Sequence, residues 1–259
     1  MSLHRFFLTV PLPAKATDAW PVPLAERDVH HLARVLRLVA GHVIAVVGAD
    51  GREAEAVLRE VTEHDVVADI GAPRSRPAHP RVALAQGLAR RERMELAIQK
   101  TTELGVSEIA PVAFARSVVK LADERAGKRA ERWRRIAEEA AKQSQRTDVP
   151  LVREPIDLEG LLRLAATYDI VLVPWEEDAG NAPGIGEALS AAGATAASSV
   201  LVVVGPEGGL EPSEVERLET CSGGIRVSLG ETILRTETAA VVALALALYE
   251  LGGLGGSAR

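Results

Sequence analysis

The sequence predicts an α/β fold for most of the chain, with a parallel sheet that is covered by helices on both faces. From residue 81 onward, short apolar segments alternate with segments of helical periodicity, and this alternation is typical of parallel sheets. The segments at 170–173 and 200–204 are apolar throughout, as expected for strands that are buried on both faces. The residues before 71 differ in pattern and predict a separate β-rich region.

The β-rich region contains a hairpin signal and ends in a candidate linker. Its predicted elements are three strands and one short helix, at 5–10, 42–47, 65–70 and 30–38. Asp50-Gly51 lies between two strand-like segments and predicts a hairpin turn. The segment 71–80 is rich in proline and arginine, which indicates a linker between this region and the rest of the chain.

The elements after the linker follow one another in the order expected of an α/β sheet. The predicted strands are 82–86, 107–112, 170–173, 200–204 and 225–228, and the predicted helices are 91–104, 127–145, 213–220 and 237–251. The helix at 91–104 has its apolar residues on one face and stops before Gly105, a residue type that favours helix C-termini. Thr236 is predicted to cap the last helix.

The overall composition limits the classes of protein to consider. A chain of 259 residues fits one large domain or two smaller ones, and 47% apolar residues can form a substantial core. A single cysteine, Cys221, excludes an intramolecular disulfide and fits a reducing, cytoplasmic location. The first ten residues do not resemble a signal peptide, and the apolar stretch 239–248 is far shorter than the roughly 20 residues of a membrane span.

Charge is distributed unevenly along the chain. Residues 81–146 contain 15 Lys or Arg against nine Asp or Glu, whereas 147–259 contain six against 17. A basic block in a chain of net charge −6 indicates a polyanionic partner at one surface. The alternative is an ordinary solvated helical surface of mixed charge, and charge alone does not decide between them.

Several common catalytic and metal sites are absent from the sequence. It has neither a Walker A phosphate-binding motif, nor G-x-G-x-x-G after the strand at 82–86, nor a G-x-S-x-G nucleophile motif. The histidines lie in the first 79 residues, and none is spaced with the cysteine as a metal ligand would be: His4, His30, His31, His42, His64 and His79. We therefore expect no metal site.

Two glycine-containing segments, 202–209 and 229–239, carry the strongest functional signal. Each begins at the end of an apolar strand-like run, has glycine where the backbone must turn or approach a ligand closely, and leads into a helical segment. Side by side, the two would form a pocket for a small polar cofactor. Alternatively, the glycines of the first segment serve only the turn itself.

Arg235 lies between two apolar residues and the start of the last helix. It could form a capping ion pair with Glu237, or it could direct its charge into the pocket. The hydroxyls of Thr236 and Thr238 lie at a helix N-terminus, where free backbone N–H groups attract anions and carbonyls.

Six segments together resemble the bacterial ribosomal RNA small-subunit methyltransferase E family. They are RFF at 5–7, HLARVLR at 31–37, QKTTELGV at 99–106, EAAKQSQR at 139–146 with VP at 149–150, GPEGG at 205–209, and LGETILRTETA at 229–239. Each is weak alone, but in this order along nearly the whole chain they are specific. Leu210-Glu211 and Glu231-Thr232 depart from the residues that are frequent in the family.

The resemblance implies a two-domain architecture. Residues 1–72 would form a PUA-like RNA-binding β-barrel, 73–80 a linker, 81–252 a SPOUT methyltransferase domain with a parallel sheet and a trefoil knot, and 253–259 a flexible tail. The family forms a homodimer, with the cofactor pocket beside the subunit interface. The implied location is the cytoplasm.

The resemblance also implies the reaction: an S-adenosylmethionine-dependent methylation of N3 of one uridine in 16S ribosomal RNA of the small ribosomal subunit. The residues of this chain that would contact the cofactor are Val173, Pro174, Gly205, Pro206, Glu207, Gly208, Gly209, Leu229, Gly230, Ile233, Leu234 and Thr238. The residues that would contact RNA are Arg5, His31, Arg34, Arg37, Arg116, Lys120, Gln143 and Arg146, with Arg125, Lys128 and Arg132 of the basic block.

Uridine N3 carries a proton, so the enzyme needs a base, a positive charge that stabilises the deprotonated ring, or both. Arg235 is the first candidate for the charge, with Arg146 and Arg116 as alternatives. Glu207 either acts as the base or holds its loop by accepting backbone hydrogen bonds. Two other functions remain open: a SPOUT enzyme that acts on another RNA or on a ribose 2′-hydroxyl, and a non-catalytic RNA-binding assembly factor.

Overall fold

The structure is a computed structural model that describes residues 3–75, 79–118, 126–178 and 181–255. It divides into two compact units. The N-terminal unit contains Met1–Ala78 together with Ala141–Asp148, and the C-terminal unit contains His79–Ala140 together with Val149–Arg259. Lys120 and Arg125, as well as parts of the predicted linker and tail, lie outside the described residues.

The N-terminal unit is built on a five-stranded sheet. Its strands are β1 Arg5–Phe7, β2 Thr17–Pro21, β3 Val43–Val47, β4 Glu53–Val61 and β5 Val66–Ile70, in the order β1-β3-β4-β5-β2. Strand β1 is parallel to β3, and the other neighbours are antiparallel. The predicted hairpin is confirmed: β3 and β4 pair antiparallel, and Gly51 in the turn has a φ of 73°.

The helix of this unit begins earlier than predicted. Helix α1 spans Glu26–His30, and the chain continues as a π-helical turn over His31–Val35. The predicted strand at 5–10 is shorter than expected and ends at Phe7, and β2 was not predicted. The core of this unit contains Phe6, Leu32, Ile44 and Leu58, all almost fully buried.

The C-terminal unit contains the predicted parallel sheet. Its strands are β6 Val82–Gly87, β7 Glu108–Val112, β8 Leu151–Val152, β9 Ile170–Pro174, β10 Val200–Val204 and β11 Ile225–Val227, in the order β11-β9-β10-β6-β7-β8. Each neighbouring pair is parallel. The helices are α2 Arg91–Leu104, α3 Ala126–Gln143, α4 Leu158–Ala165, α5 Ile185–Ala191, α6 Pro212–Ser222 and α7 Thr236–Glu250.

Both faces of this sheet are buried. Alternate residues of β10 belong to two separate apolar clusters, because successive side chains of a strand point to opposite faces: Val200 and Val202 in one cluster, Leu201 and Val203 in the other. The first cluster includes residues of α2, α5 and α7, and the second includes residues of α4 and α6. The prediction of a doubly covered parallel sheet is therefore confirmed. Within the described ranges, every helix is too short or too polar to cross a lipid bilayer.

Candidate active site

Four strands of the C-terminal unit end at the same edge of the sheet. The register pairs Val204 of β10 with Gln86 of β6, and Val227 of β11 with Pro174 of β9. Since ligands of open parallel sheets usually bind outside the carboxyl ends of the strands, the loops that follow these four strands form the candidate site. We call this side the carboxyl edge.

An open cleft lies at the carboxyl edge, and the space between its walls, with the solvent at its mouth included, is about 440 Å³. One wall is the segment that follows β9, and the other is the segment between β11 and α7. The lining residues are Pro174, Trp175, Glu176, Ser228, Leu229, Gly230, Thr232, Ile233, Leu234 and Ala239. The cleft thus combines apolar side chains with exposed main chain and a few polar groups, which suits a small organic ligand.

The two glycine-containing segments meet at Thr236. Its hydroxyl donates a hydrogen bond to the carbonyl of Gly205 at 2.6 Å and accepts one from Nε2 of Gln86 at 2.8 Å. The prediction that Thr236 caps the last helix was wrong: α7 begins at Thr236, its N-cap residue is Arg235, and no side chain caps it. The hydroxyl is occupied instead in holding the start of α7 to the loop after β10.

The loop at 205–209 packs closely against its neighbours. A Cβ on Gly87, the last residue of β6, would lie 2.3 Å from the backbone nitrogen of Pro206, and one on Gly208 would lie 3.0 Å from Cβ of Arg116. Gly209 has a φ of 73°, which disfavours other residues. These glycines therefore have a packing role as well as a conformational one.

Glu207 holds this loop to the start of α2. Its Oε1 accepts a hydrogen bond from the backbone nitrogen of Arg90 at 2.9 Å and lies 3.9 Å from Nη1 of Arg93. Its Oε2 is buried and has no hydrogen-bond partner in the described part of the chain. One carboxylate oxygen is therefore used structurally and the other is free to accept a proton or a hydrogen bond.

Arg235 is exposed at the N-terminus of α7. Within the described residues, it makes no ion pair with Glu237, whose side chain is buried with Oε2 unbonded. The capping ion pair that the sequence left open is thus not formed. The guanidinium remains available beside the segment that lines the cleft.

Unbonded polar atoms are concentrated at the carboxyl edge. The described residues include four such buried atoms near the ends of these strands: Gln86 Oε1, Trp175 Nε1, Glu207 Oε2 and Glu237 Oε2. Buried polar groups nearly always have a partner in folded proteins. Of these four residues, Trp175 lines the cleft, and the other three lie outside its lining.

The predicted cofactor residues fall into three groups. Pro174, Leu229, Gly230, Ile233 and Leu234 line the cleft. The residues of 205–209 adjoin it through the contact between Gly209 and Glu176 and the hydrogen bond from Thr236 to Gly205. Val173 is fully buried behind the wall, and Thr238 is exposed in the first turn of α7.

Glu176 and Ser228 line the cleft but were not identified from the sequence, whereas Trp175 belongs to the turn at 173–175 that was expected to hold the cofactor, and Thr232 and Ala239 belong to the predicted segment 229–239. A usable signal was present for Glu176 and Ser228, because polar residues just after a strand of a parallel sheet lie at the edge where ligands bind.

Of the predicted RNA contacts in this unit, Arg116 directs Nη1 to the carbonyls of Gly208 and Leu210, at 3.3 and 3.4 Å. It therefore supports the glycine-rich loop from outside.

The predicted RNA contacts of the N-terminal unit differ in exposure. Arg5 is buried, and its Nη1 donates to Glu53 at 2.8 Å and to the carbonyl of Arg146 at 3.1 Å. Arg34 forms an ion pair with Glu63, and Arg146 forms one with Asp148 at 2.6 Å. The exposed members are His31, Arg34, Arg37 and Gln143.

Comparison with known proteins identifies two domains. A family model of an RNA methyltransferase domain matches residues 76–248, and a model of an RNA methyltransferase PUA domain matches 24–71. Two relatives have the name ribosomal RNA small subunit methyltransferase E. The Bacillus subtilis protein is 36% identical over 96% of this chain and 97% of its own length, and the Mycobacterium bovis protein is 34% identical over 83% and 80%.

Two solved structures resemble the fold along nearly the whole chain. One is described as a methyltransferase from Legionella pneumophila in complex with the bound cofactor SAM, with a TM-score of 0.79, 27% identity, and coverage of 96% of this chain and 98% of that one. The other is a ribosomal RNA small subunit methyltransferase E from Neisseria gonorrhoeae bound to S-adenosyl methionine, with a TM-score of 0.78, 28% identity, and coverage of 94% and 96%.

Proposed function

This chain belongs to the ribosomal RNA small subunit methyltransferase E family, and we propose that it transfers the methyl group of S-adenosylmethionine to N3 of a uridine in 16S ribosomal RNA. The fold class predicted from the sequence, an α/β methyltransferase domain after an N-terminal PUA-like domain, is confirmed.

One observation carries the proposed reaction: the two glycine-containing segments meet at the Thr236–Gly205 hydrogen bond, beside an open cleft. S-adenosylmethionine combines a flat adenine, a ribose and a charged methionine portion. Leu229, Ile233 and Leu234 offer apolar contact for the adenine, and the glycine-rich main chain offers N–H and C=O groups for the polar portions. Of the unbonded polar atoms at the carboxyl edge, Trp175 Nε1 belongs to a residue that lines the cleft and is a donor for such a ligand.

The chemistry would require little activation of the donor, since the S–CH₃ bond of a sulfonium breaks to release S-adenosylhomocysteine, a neutral thioether and a good leaving group. The protein's main task is to align uridine N3 with the S–CH₃ bond. Loss of the N3 proton leaves negative charge spread over O2 and O4 of the ring. A guanidinium placed beside these oxygens stabilises that charge, and Arg235, exposed and free of an ion pair within the described residues, is the group that we assign to it.

Glu207 combines the two roles that the sequence left open. Oε1 is committed to the backbone nitrogen of Arg90, which fixes the position of the carboxylate. Oε2 is unbonded among the described residues and is the candidate acceptor for the N3 proton. We propose that Glu207 first positions the loop and, from that fixed position, serves as the base.

Capture of RNA is assigned to the N-terminal unit and to the basic block of the C-terminal unit. The match of residues 24–71 to an RNA methyltransferase PUA domain supports this assignment. Exposed basic side chains such as Arg34 and Arg37 would contact phosphates, so affinity for RNA should fall steeply with salt. Since ribosomal RNA is the proposed substrate, we place the protein in the cytoplasm.

We propose a homodimer that forms through α2 and α7. These helices pack against each other and leave large apolar side chains exposed: Leu96 at 43%, Leu246 at 41% and Tyr249 at 50%. Ile233, which lines the cleft, is 83% exposed. A second copy on this surface would cover these side chains and would lie beside the cofactor cleft.

We also infer the knotted topology of the family. Strand β11 lies at the edge of the sheet beside β9, whereas α7 packs on α2, β6 and β10. The connection 228–235 therefore crosses the carboxyl ends of neighbouring strands to reach α7. For the domains, we propose 1–72 for RNA binding and 81–252 for methyl transfer, with 73–80 between them and 253–259 as a tail.

Nucleoside mass spectrometry tests the proposed function. The purified protein is incubated with S-adenosylmethionine and small ribosomal subunits or 16S RNA that lack the modification, and the RNA is then digested to nucleosides. We expect 3-methyluridine. The appearance of 2′-O-methyl nucleosides instead would assign the chain to ribose methylation, and binding of RNA without any methyl transfer would indicate a non-catalytic assembly factor.

A further inference from the structure

The charged side chain that lines the cleft is Glu176. It lies two residues after β9 ends, and it has no hydrogen bond or ion pair within the described residues. Its neighbours in the lining are neutral: Trp175 on its own wall, and Ser228 and Gly230 on the opposite one. This exposed, unpaired carboxylate is available to accept hydrogen bonds from a ligand that enters the cleft.

The placement of Glu176 matches a known solution for binding a nucleoside. In dinucleotide-binding sheets, a glycine-rich turn follows one parallel strand, and a carboxylate near the end of the neighbouring strand binds the ribose hydroxyls. Here the glycine-rich turn 205–209 follows β10, and Glu176 follows β9, the neighbour of β10 in the sheet. The two arrangements differ in sequence motif but place the same chemical groups at the same edge.

Gly209 provides a second, independent observation. A Cβ at this position would lie 2.0 Å from Oε1 of Glu176 and 3.1 Å from its Cδ. The glycine thus leaves the space that the carboxylate occupies. The carboxylate of Glu176 therefore lies beside the glycine-rich loop, on the wall of the cleft that follows β9.

We propose that the carboxylate of Glu176 accepts hydrogen bonds from the ribose hydroxyls of the methyl donor and determines the selectivity of the cleft for a ribonucleoside. This assignment rests on the proposed function, because it takes S-adenosylmethionine as the occupant of the cleft. A vicinal diol presents two O–H donors, and a carboxylate offers two acceptor oxygens, so the pair matches in number and geometry.

The test measures binding of S-adenosylhomocysteine and of its 2′-deoxy and 3′-deoxy analogues by calorimetry. We expect the wild-type protein to bind each deoxy analogue about 10- to 100-fold more weakly, the effect of losing a hydrogen bond to a charged group. In Glu176→Ala, the parent compound should bind as weakly as the analogues, so the selectivity disappears. Glu176→Gln retains one acceptor oxygen and should be intermediate.

Glu177→Ala is the matched control. It removes the same charge from the next residue, which does not line the cleft, and it should keep the wild-type selectivity. Unchanged selectivity in Glu176→Ala would overturn the assignment. S-adenosylmethionine is measured alongside, and a loss of its affinity that S-adenosylhomocysteine does not share would also overturn the assignment, since that result would mean that the carboxylate responds to the sulfonium charge. If the wild-type protein bound neither S-adenosylmethionine nor S-adenosylhomocysteine, the proposed function itself would fall together with this assignment.

Discussion

The two edges of the parallel sheet in the C-terminal unit contrast in how their polar groups are bonded. At the amino edge, where the strands begin, the groups bond to one another. Glu108, the first residue of β7, accepts a hydrogen bond from the hydroxyl of Tyr168 at 3.0 Å and forms an ion pair with Arg153. The guanidinium of Arg81 lies 4.5 Å from the centre of the Tyr168 ring.

A second cluster at the amino edge joins the residues that precede β9 and β10. Asp169 accepts hydrogen bonds from the backbone nitrogen and the hydroxyl of Ser199, at 2.8 and 2.7 Å. At the carboxyl edge, by contrast, Glu207, Glu237, Gln86 and Trp175 each have a buried polar atom without a partner in the described part of the chain. The contrast indicates that the amino edge serves stability and the carboxyl edge serves binding and catalysis.

The largest expected effect is on turnover at the carboxyl edge. Replacing Arg235 by alanine should lower kcat by about 100- to 1,000-fold, the usual effect of removing one group that stabilises developing negative charge. The thermal unfolding midpoint and the affinity for S-adenosylmethionine should change little, because Arg235 is exposed. Arg163→Ala, which removes an exposed arginine from α4, is the matched control. Near-normal turnover of Arg235→Ala would remove this residue from the mechanism.

Glu207→Gln separates the base from the support of the loop. The amide oxygen can still accept the hydrogen bond from Arg90, but the side chain can no longer take a proton. If Glu207 is the base, single-turnover rates should fall by about 100-fold while cofactor binding is retained. Glu216→Gln on the exposed face of α6 serves as the control. A rate within a few fold of wild type would leave Glu207 with the structural role alone.

Thr236→Val tests the link between the two glycine-containing segments. Valine has nearly the same shape but cannot donate to the carbonyl of Gly205 or accept from Gln86. Leaving these buried groups unbonded should cost about 1–3 kcal/mol of stability, and we expect cofactor affinity to fall about tenfold, since 1.4 kcal/mol is a factor of ten. Calorimetry and thermal unfolding measure the two effects. Wild-type affinity in this variant would show that the cleft does not depend on the link.

Tyr168→Phe should affect stability without affecting activity. It removes the hydrogen bond to the buried Glu108 and keeps the ring that packs under Arg81. We expect a loss of about 1–3 kcal/mol in the free energy of unfolding, with unchanged kcat and cofactor affinity, as measured by urea unfolding and single-turnover assays. A large loss of activity at unchanged stability would contradict the division of roles between the edges.

The smallest effect is a dependence of stability on alkaline pH. Burial, together with the negative charge of Glu108, raises the pKa of Tyr168 to about 12. A tyrosine in the unfolded chain has a pKa of about 10. The folded state thus favours the neutral phenol. The neutral phenol's contribution to the free energy of unfolding is complete below about pH 10 and is lost as pH rises through about 12. Comparison of the wild-type protein with Tyr168→Phe between these pH values measures it, and parallel curves would refute the assignment.

The sequence predicted the elements that have strong local signals. Helix α2 has the predicted bounds, because an apolar face precedes a glycine with a φ of 113° at Gly105. Strand β10 also matches, since five consecutive apolar residues suit only a strand covered on both faces. Helices α4 and α5, at eight and seven residues, and strand β8, at two, were not identified. Elements this short depend on packing more than on periodicity.

The site was predicted in part for a similar reason. Glycine positions and the arginine before α7 are visible as a pattern, so the two segments could be identified. The partner of Thr236, the close approach of Glu176 to Gly209 and the unbonded atoms depend on contacts between residues far apart in the sequence. Arg116 is a further example: its RNA contact stays a prediction, and its contact with the carbonyls of Gly208 and Leu210 could not be predicted from the sequence.

Hydrogen–deuterium exchange with and without S-adenosylmethionine tests the central claim most directly, because it measures both edges of the sheet in one experiment. The account predicts slower exchange in peptides that cover 173–176, 205–210 and 228–236, with no change in peptides that begin β7, β9 and β10 at the amino edge. Protection at the amino edge, or no protection of the two glycine-containing segments at saturating cofactor, would contradict it.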